Sequence, residues 1–291
     1  MIPFELAEPN TLEEAIQLLD PDDASVRPAS GFTALMLMMK TAVFTPSRIV
    51  SLQNVEKHYS GIDATPEGGV RIGALASLSE IEHSAAVRRI APVIEKAMRR
   101  LANVRVRNVA RLGGNLAHGD PHMDLPPVLA SLGATLTVQG QAGTRQVNLH
   151  DLFVGYYETV LQRDELIIFV DVPAQQGWSS AYLKCTTRSA DDWPALGVAC
   201  SLRTDGNTVR DVRLIVSAAT EKLMRLSAAE AELRDQPLSD VVLRRAADAG
   251  VAETRDALTE DSRGSAAYKA ELMRVYIQRC LQRAHREEAQ A

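Results

Sequence analysis

Cysteine is scarce. Cys185, Cys200 and Cys280 are the only three, widely spaced and without a C-x-x-C pair. That excludes the ordinary spacings of a zinc site or of an iron–sulfur cluster held by this chain alone, and a reducing cytoplasm is the simplest setting. No apolar run approaches the length of a membrane span. The run Ala34-Leu35-Met36-Leu37-Met38-Met39 stops at Lys40 and reads as a buried helix segment. The start, Met1-Ile2-Pro3-Phe4-Glu5, has neither the positive end nor the apolar core of a signal peptide. With 32 basic against 37 acidic residues and a net charge of −5, no face reads as a basic stripe, so nucleic acid is not an expected partner. Internal repeats, low-complexity tracts, a Ser-His-Asp set and a defensible carboxylate pair are also missing. That silence fits a chain whose chemistry belongs to something it binds.

The length suffices for two or three small domains. The N-terminal segment reads strand, helix, loop, helix, strand. Thr11-Leu12-Glu13-Glu14 has the spacing of a capping box, and Leu12, Ala15, Ile16 and Leu19 form one apolar helical face. Pro28 favours extended backbone before the Ser30-Gly31 turn, and a helix follows to Lys40. Small residues before a helix start form a phosphate cradle in principle, and they also occur before many ordinary helices. Strands are predicted at residues 48–52 and 70–74, with a second capping box at Ser77-Leu78-Ser79-Glu80. An amphipathic helix is predicted over residues 90–101, strands near 134–138 and 145–149, a short helix at 151–154, and a strand over 165–173 stopped by Pro173. Gln175-Gln176-Gly177-Trp178 is the expected domain boundary. Beyond it come a strand at residues 181–185, a hairpin turning at Asp205-Gly206-Asn207, and helices at 228–234, 240–252 and 264–286. The last is predicted to bury Tyr268, Leu272, Val275, Tyr276 and Cys280 on one face.

What is present concentrates in Arg107-Asn108-Val109-Ala110-Arg111-Leu112-Gly113-Gly114-Asn115-Leu116-Ala117-His118-Gly119-Asp120-Pro121-His122-Met123-Asp124-Leu125. The stretch has too little apolar periodicity for a core element. Gly113 and Gly114 permit positive φ, Asn115 offers an amide, and Gly119-Asp120-Pro121 is a second turn before a helix expected from about Met123 to Leu132. Two glycine turns leading to a helix bring N–H groups to an anion such as a pyrophosphate, although a Gly-Gly-Asn turn alone is also ordinary turn chemistry. His118 and His122 with Asp120 and Asp124 have a metal-like look. Pro121 interrupts the helix that would align the histidines, so they read as caps and hydrogen-bonding groups, and no metal is expected.

The run from Arg107 to Asp124 resembles the second FAD-binding segment of the flavoprotein subunits of the molybdenum hydroxylases. That is the family of xanthine dehydrogenase, aldehyde oxidase and aerobic carbon monoxide dehydrogenase, with the pattern R-N-x-G/A-x-x-G-G-N-(L/I)-A-x-(A/G)-D-P-x-x-D. Arg111-Leu112 stands where Thr-Ile or Ser-Val is usual. Residues 29–40 resemble the family's first FAD segment, with Ser30 in place of a glycine and Phe32 at its variable position. If that backbone needs positive φ, serine is costly there. Val70-Arg71-Ile72-Gly73-Ala74, the strand at 165–173 and Gly264-Ser265-Ala266-Ala267-Tyr268-Lys269 resemble further family elements, so the likeness runs nearly end to end.

The resemblance implies an α+β protein with the vanillyl-alcohol-oxidase (PCMH-type) FAD-binding fold. Residues 1–176 would bind FAD in two subdomains, about 1–55 and 56–176, and 177–291 would form a C-terminal domain of a small antiparallel sheet plus helices. It implies cofactor contacts from Ala29, Ser30, Gly31, Phe32, Thr33, Ala34 and Leu35, and from Arg111, Leu112, Gly113, Gly114, Asn115, His118, Asp120 and Asp124. Leu101, Leu166, Lys184 and Trp193 would surround the ring. Leu101 reads equally as core, Lys184 from pattern alone as an exposed strand lysine, and Trp193 as a plug over a small core. The implied role is an electron-transfer subunit in a dimer of heterotrimers. A large molybdopterin subunit would oxidise substrate, a small subunit with 2Fe–2S clusters would feed this FAD, and NAD, oxygen, a cytochrome or a quinone would accept the electrons. A stand-alone FAD oxidoreductase and a flavin-free scaffold of the same fold are the alternatives, the second favoured by Ser30 and Arg111.

Overall fold

The structure is a computed structural model describing residues 2–288. Its first unit runs β1 (Glu5–Ala7), α1 (Leu12–Gln17), β2 (Val26–Ala29), α2 (Thr33–Lys40) and β3 (Arg48–Ser51). The strands form a parallel sheet in the order β1-β3-β2. Thr11 Oγ1 accepts from the Glu14 N–H at 3.1 Å, while the Glu14 carboxylate accepts from Asn10 N–H at 2.9 Å, one residue before the position a capping box uses. Leu12, Ala15, Ile16 and Leu19 are buried, as their spacing requires. The apolar run of α2 is not. Only Met39 is fully buried, and Leu37 is 58% exposed. A three-stranded sheet offers α2 one narrow face, built on Ala29 and Ile49, and only one stripe of a helix reaches it.

The central unit contains β4 (Ile62–Ala64), β5 (Val70–Gly73), α3 (Leu78–His83), α4 (Ala85–Ile90), α5 (Pro92–Met98), α6 (Val104–Val109), α7 (Leu112–Ala117), α8 (Leu125–Leu132), β6 (Thr135–Gly140), β7 (Gly143–Asn148), β8 (Phe153–Gly155), β9 (Glu158–Thr159) and β10 (Leu166–Val172). Its main sheet is antiparallel in the order β4-β5-β10-β6-β7, and β8 pairs with β9 in a separate ribbon. The second capping box is complete, with Ser77 and Glu80 each satisfying the other's backbone. The predicted helix over 90–101 is broken. Pro92 excludes αR backbone at Ala91, which sits at φ −138° and ψ 65°, and the proline opens a new helix. In place of a helix at 151–154 there is a 3-10 turn at Leu149–Asp151 followed by β8. The largest departure concerns the glycine pair. Gly113 and Gly114 lie in the first turn of α7, and neither has positive φ; Gly119 does, at 69°. Helix α8 begins at Leu125, two residues later than expected from Met123, and ends at Gly133 with φ 77°.

The last unit contains β11 (Ser179–Cys185), β12 (Leu196–Asp205), β13 (Thr208–Ser217), β14 (Met224–Arg225), α9 (Ser227–Leu233), α10 (Asp240–Thr254) and α11 (Ala266–Glu288). Its antiparallel sheet has the order β11-β12-β13-β14, and the pair Asp205↔Thr208 closes the turn at Gly206-Asn207. The buried stripe of α11 is Lys269, Met273, Ile277, Cys280, Leu281 and Ala284. Tyr268 and Val275, predicted to face inward, are exposed. The helix is rotated from the predicted face because the side turned inward carries a lysine, which apolar periodicity cannot select. Helix α8 is buried along its whole length and packs on β12 and β13, so it joins the central and last units.

Candidate functional site

Strand β2 delivers Ser30 and Gly31 to the start of α2. The left-handed residue there is Phe32, at φ 58° and ψ −1°, and not Ser30. The expected cost of serine at this turn is therefore absent; the strain, about 1–2 kcal/mol, sits on Phe32. No side chain caps α2, so the N–H groups of its first turn, at Thr33, Ala34 and Leu35, lack intrahelical acceptors and suit an anion.

The two glycine-bearing segments meet. A Cβ on Gly31 would stand 2.5 Å from Val109 O and 2.8 Å from Ala110 Cα, so the β2–α2 turn lies flat against the link between α6 and α7. A Cβ on Gly114 would meet only Ser30 Oγ, at 3.2 Å. Gly113 has a different task. Its Cβ would stand 2.9 Å from Ala74 Cβ, and its N–H donates to Ala74 O at 2.7 Å, while Leu112 N–H donates to Ala76 O at 3.1 Å. Those two N–H groups are spent on packing α7 against the end of β5. What α7 presents is the bare face of Gly114 and the amide of Asn115. Asn115 Nδ2 donates to Met123 Sδ at 3.3 Å, and its Oδ1 is buried with no hydrogen-bond partner. Such an orphan costs about 1–3 kcal/mol until a donor meets it. An uncapped helix start, an open glycine face and an orphaned amide oxygen lie close together and fit the phosphate and polar edge of a dinucleotide such as FAD.

One turn beyond, residues 118–124 build a polar cluster. The β8–β9 ribbon clamps this loop. Tyr157 N–H donates to Gly119 O at 3.1 Å, and a Cβ on Gly119 would come within 3.0 Å of the Tyr157 backbone. Asp120 is buried. Its Oδ1 accepts from His122 N–H at 2.9 Å and lies 2.8 Å from His122 Nδ1, and its Oδ2 accepts from the Tyr157 hydroxyl at 3.2 Å. Burial pushes the Asp120 pKa up, but the bonds from His122 outweigh it and hold the carboxyl below its usual range. Burial lowers the His118 pKa, only partly opposed by Asp120, so this imidazole, set edge-on to Tyr157 at 4.9 Å, is neutral at neutral pH. Asp124 accepts from the Tyr182 hydroxyl at 2.6 Å and from Lys184 Nζ at 3.0 Å, and Lys184 also donates to Asp192 O at 3.1 Å. Burial raises the Asp124 pKa and the Lys184 ammonium pulls it back.

Five predicted site residues thus gather here: His118, Asp120, Asp124, Lys184 and Trp193. Lys184 is buried, not the exposed strand lysine of its sequence pattern. Trp193 is 43% exposed and stacks on His122, with centroids 5.9 Å apart and planes at 16°. Ser30 meets Gly114 and Gly31 meets the Val109–Ala110 backbone, with Thr33 and Ala34 following in the first turn of α2, while Phe32 and Leu35 pack against the core of Ala29, Met39 and Ile49. Ala29, Leu101 and Leu112 are buried in the cores. Arg111 precedes α7 as its N-cap and lies 3.5 Å from Glu80, so it is tied to the capping box. Leu166 belongs to the core that the first unit shares with β10, and Ile168 O, further along that strand, accepts from Ala74 N–H. Sequence reading passes over Tyr182 and Tyr157. Strand alternation signals the first, since Tyr182 shares a face with Lys184. Tyr157 has no local signal, because its partner Asp120 lies 37 residues away.

Residues 2–175 match a protein-family model described as the FAD binding domain in molybdopterin dehydrogenase. Residues 181–284 match one described as the CO dehydrogenase flavoprotein C-terminal domain. The chain is 34% identical over 278 residues to the nicotine 6-hydroxylase medium subunit of Paenarthrobacter nicotinovorans, covering 94% of this chain and 95% of that one. It is 31% identical over 285 residues to the carbon monoxide dehydrogenase medium chain of Hydrogenophaga pseudoflava, covering 97% of each. Among solved structures, a carbon monoxide dehydrogenase from Hydrogenophaga pseudoflava, in a form lacking the Mo-pyranopterin moiety of its molybdenum cofactor, superimposes with a TM-score of 0.92 at 30% identity over 98% of both chains.

Proposed function

The chain belongs to the family of FAD-binding medium subunits of the molybdenum hydroxylases, and from that membership we propose that it is the electron-transfer subunit of a heterotrimeric complex. In this reading it receives electrons from 2Fe–2S clusters on a small subunit and passes them, by way of its FAD, to an external acceptor. Substrate is oxidised at a molybdopterin centre on a large subunit, and the assembly is a cytoplasmic dimer of heterotrimers. Residues 1–176 form the PCMH-type domain in two subdomains, about 1–55 and 56–176, and residues from 177 form the C-terminal domain.

The observation that supports this reading most is the meeting of Ser30 with Gly114 beside the orphaned Oδ1 of Asn115. When bound, FAD takes up two electrons and hands them on. The chain's own work is to hold it. The first turn of α2 and the Ser30 hydroxyl face the pyrophosphate, Gly114 lets the backbone approach, and Asn115 fixes a polar edge. Asp124 and Lys184, locked to each other, keep a fixed pair of charges beside the ring, and Trp193 covers one face of the site. Purified chain should be yellow, and acid precipitation should release the flavin into the supernatant, as expected of a cofactor held by the glycine-bearing cradle through non-covalent contacts. Expressed alone, the chain should oxidise no candidate heterocycle or aldehyde; with its partners, substrate without acceptor should bleach the flavin band. Colourless protein after reconstitution would refute the flavin role, and bleaching by substrate in the isolated chain would establish a stand-alone oxidoreductase instead.

Trp193 tests the ring side of the site. Its indole is half in solvent, so Trp193→Ala should cost little stability. The visible spectrum of the bound flavin, or its rate of reaction with acceptors, should change clearly. If both stay as in the parent, Trp193 lies outside the site.

A further inference from the structure

Lys269 is fully buried, and neither burial nor helix electrostatics accounts for it. An ammonium inside a core loses its hydration at a cost of several kcal/mol. Lys269 also lies in the first turn of α11, where a positive charge meets the unfavourable end of the helix dipole. Its surroundings show what it holds. Nζ donates to Ala218 O at 3.3 Å, Thr259 Oγ1 at 3.4 Å and Asp261 Oδ2 at 3.0 Å.

Two routes lead from these partners to the loop at 118–124. Asp261 Oδ2 lies 3.5 Å from His122 Nε2, a buried atom without a hydrogen bond of its own, and the other ring nitrogen of His122 faces Asp120 at 2.8 Å. Along the second route, Ala218, strained at φ 66°, donates its N–H to Pro121 O at 3.0 Å while its carbonyl accepts from Lys269. Arg263, near Asp261 in the same loop, places its guanidinium over Trp193, 5.5 Å from the ring centroid, and donates to the Trp193 carbonyl at 3.3 Å. The last unit of the chain therefore grips the loop through its charge at Lys269. Burial raises the Asp261 pKa, but the Arg263 N–H and Lys269 bonds outweigh it and hold the carboxyl below its usual range, so Asp261 faces Lys269 as a charge pair at neutral pH.

We propose that Lys269 is a positioning residue for the flavin site: through Asp261 and Ala218 it fixes residues 119–124 in the conformation that accepts FAD, so cofactor affinity depends on the packing of α11. This rests on the reading that the loop contacts FAD. Coupling of this kind is typically worth about 5–150-fold in affinity.

The test uses the full-length chain, stripped of flavin and titrated with FAD by fluorescence quenching, with amide hydrogen exchange of residues 119–124 as a second readout. Lys269→Met and Asp261→Asn should each weaken FAD binding about tenfold or more and speed exchange in the loop. Lys269→Arg, which keeps charge and donors, should restore most of the affinity. Leu281→Ala opens a cavity on the same helix away from the network and should lower stability at near-parental FAD affinity. Should Lys269→Met fail to fold, Asp261→Asn carries the result. Parental affinity and exchange in both network variants, or an equal loss of affinity in Leu281→Ala, would overturn the proposal. A parent chain that takes up no FAD, yet shows faster loop exchange in both network variants, would sink the flavin reading while leaving the coupling between α11 and the loop in place.

Discussion

Gly114→Val should abolish FAD uptake in a chain that otherwise folds as before. The position is exposed, in the first turn of α7, and the only atom near a new Cβ is Ser30 Oγ at 3.2 Å, a hydroxyl free to turn aside. Valine is also a better helix former than glycine by a few tenths of a kcal/mol, so the helix itself loses nothing. What changes is the space between α2 and α7. Two added methyl groups would occupy the approach to the uncapped first turn of α2 and screen Asn115 from a ligand. Loss of the closest backbone contact together with its hydrogen bonds should weaken binding by about a hundredfold or more. Gly113→Val is the contrasting change. Its Cβ would press on Ala74 at 2.9 Å and on Ala74 O at 3.2 Å, so that variant should lose stability before it loses affinity. The ratio of visible to ultraviolet absorbance after reconstitution, read beside the thermal midpoint, separates the two. Normal flavin occupancy in Gly114→Val would remove the cradle from this face of α7.

The contrast between neighbouring glycines also marks what the sequence made legible. The pattern from Arg107 to Asp124 singles out the stretch, and the structure brings it against the Ser30-Gly31 turn. It does not tell that the Gly-Gly pair opens a helix instead of a turn, because glycine permits either and the choice is made by Ala74 and Ala76, residues on another segment. The strand and capping signals around Ser77, Leu166 and Gly206 are local, and they carry through. The helix predicted across Ala91 fails because its apolar spacing continues past a proline that ends one helix and starts another. The buried lysines are the hardest to read. Lys184 and Lys269 each look like surface residues until the carboxylates of Asp124 and Asp261 are brought beside them by tertiary packing.

The Asp124–Lys184 pair should produce the largest loss of stability from a single substitution. The two side chains are 6% and 1% exposed, with Nζ and Oδ2 3.0 Å apart. Asp124→Ala leaves an ammonium in the core with only the Asp192 carbonyl for company, and Lys184→Met leaves a carboxylate with only the Tyr182 hydroxyl. Breaking a buried pair on one side costs about 3–5 kcal/mol. Removing the whole constellation together, as Asp124→Leu with Lys184→Met and Tyr182→Phe, leaves no orphaned polar atom among the three and should recover most of that loss, since apolar replacements of similar volume are near neutral. On the proposed placement of Asp124 and Lys184 beside the ring, flavin affinity should not recover, because both polar groups are gone. Lys184→Met should also acquire a pH dependence with a definite sign. Burial already raises the Asp124 pKa, and the ammonium is the strongest influence holding it down. Without it the folded-state pKa climbs further above the unfolded value of about 3.9. A carboxyl raised in this way favours the fold while protonated, and that contribution is lost as pH rises through the folded-state pKa. The deficit of Lys184→Met relative to the parent should therefore be smallest in acid and grow toward neutrality. Urea unfolding at a series of pH values measures it, and a deficit that is flat with pH, or below about 1 kcal/mol, would mean that solvent reaches the pair and that it is no more than a surface ion pair.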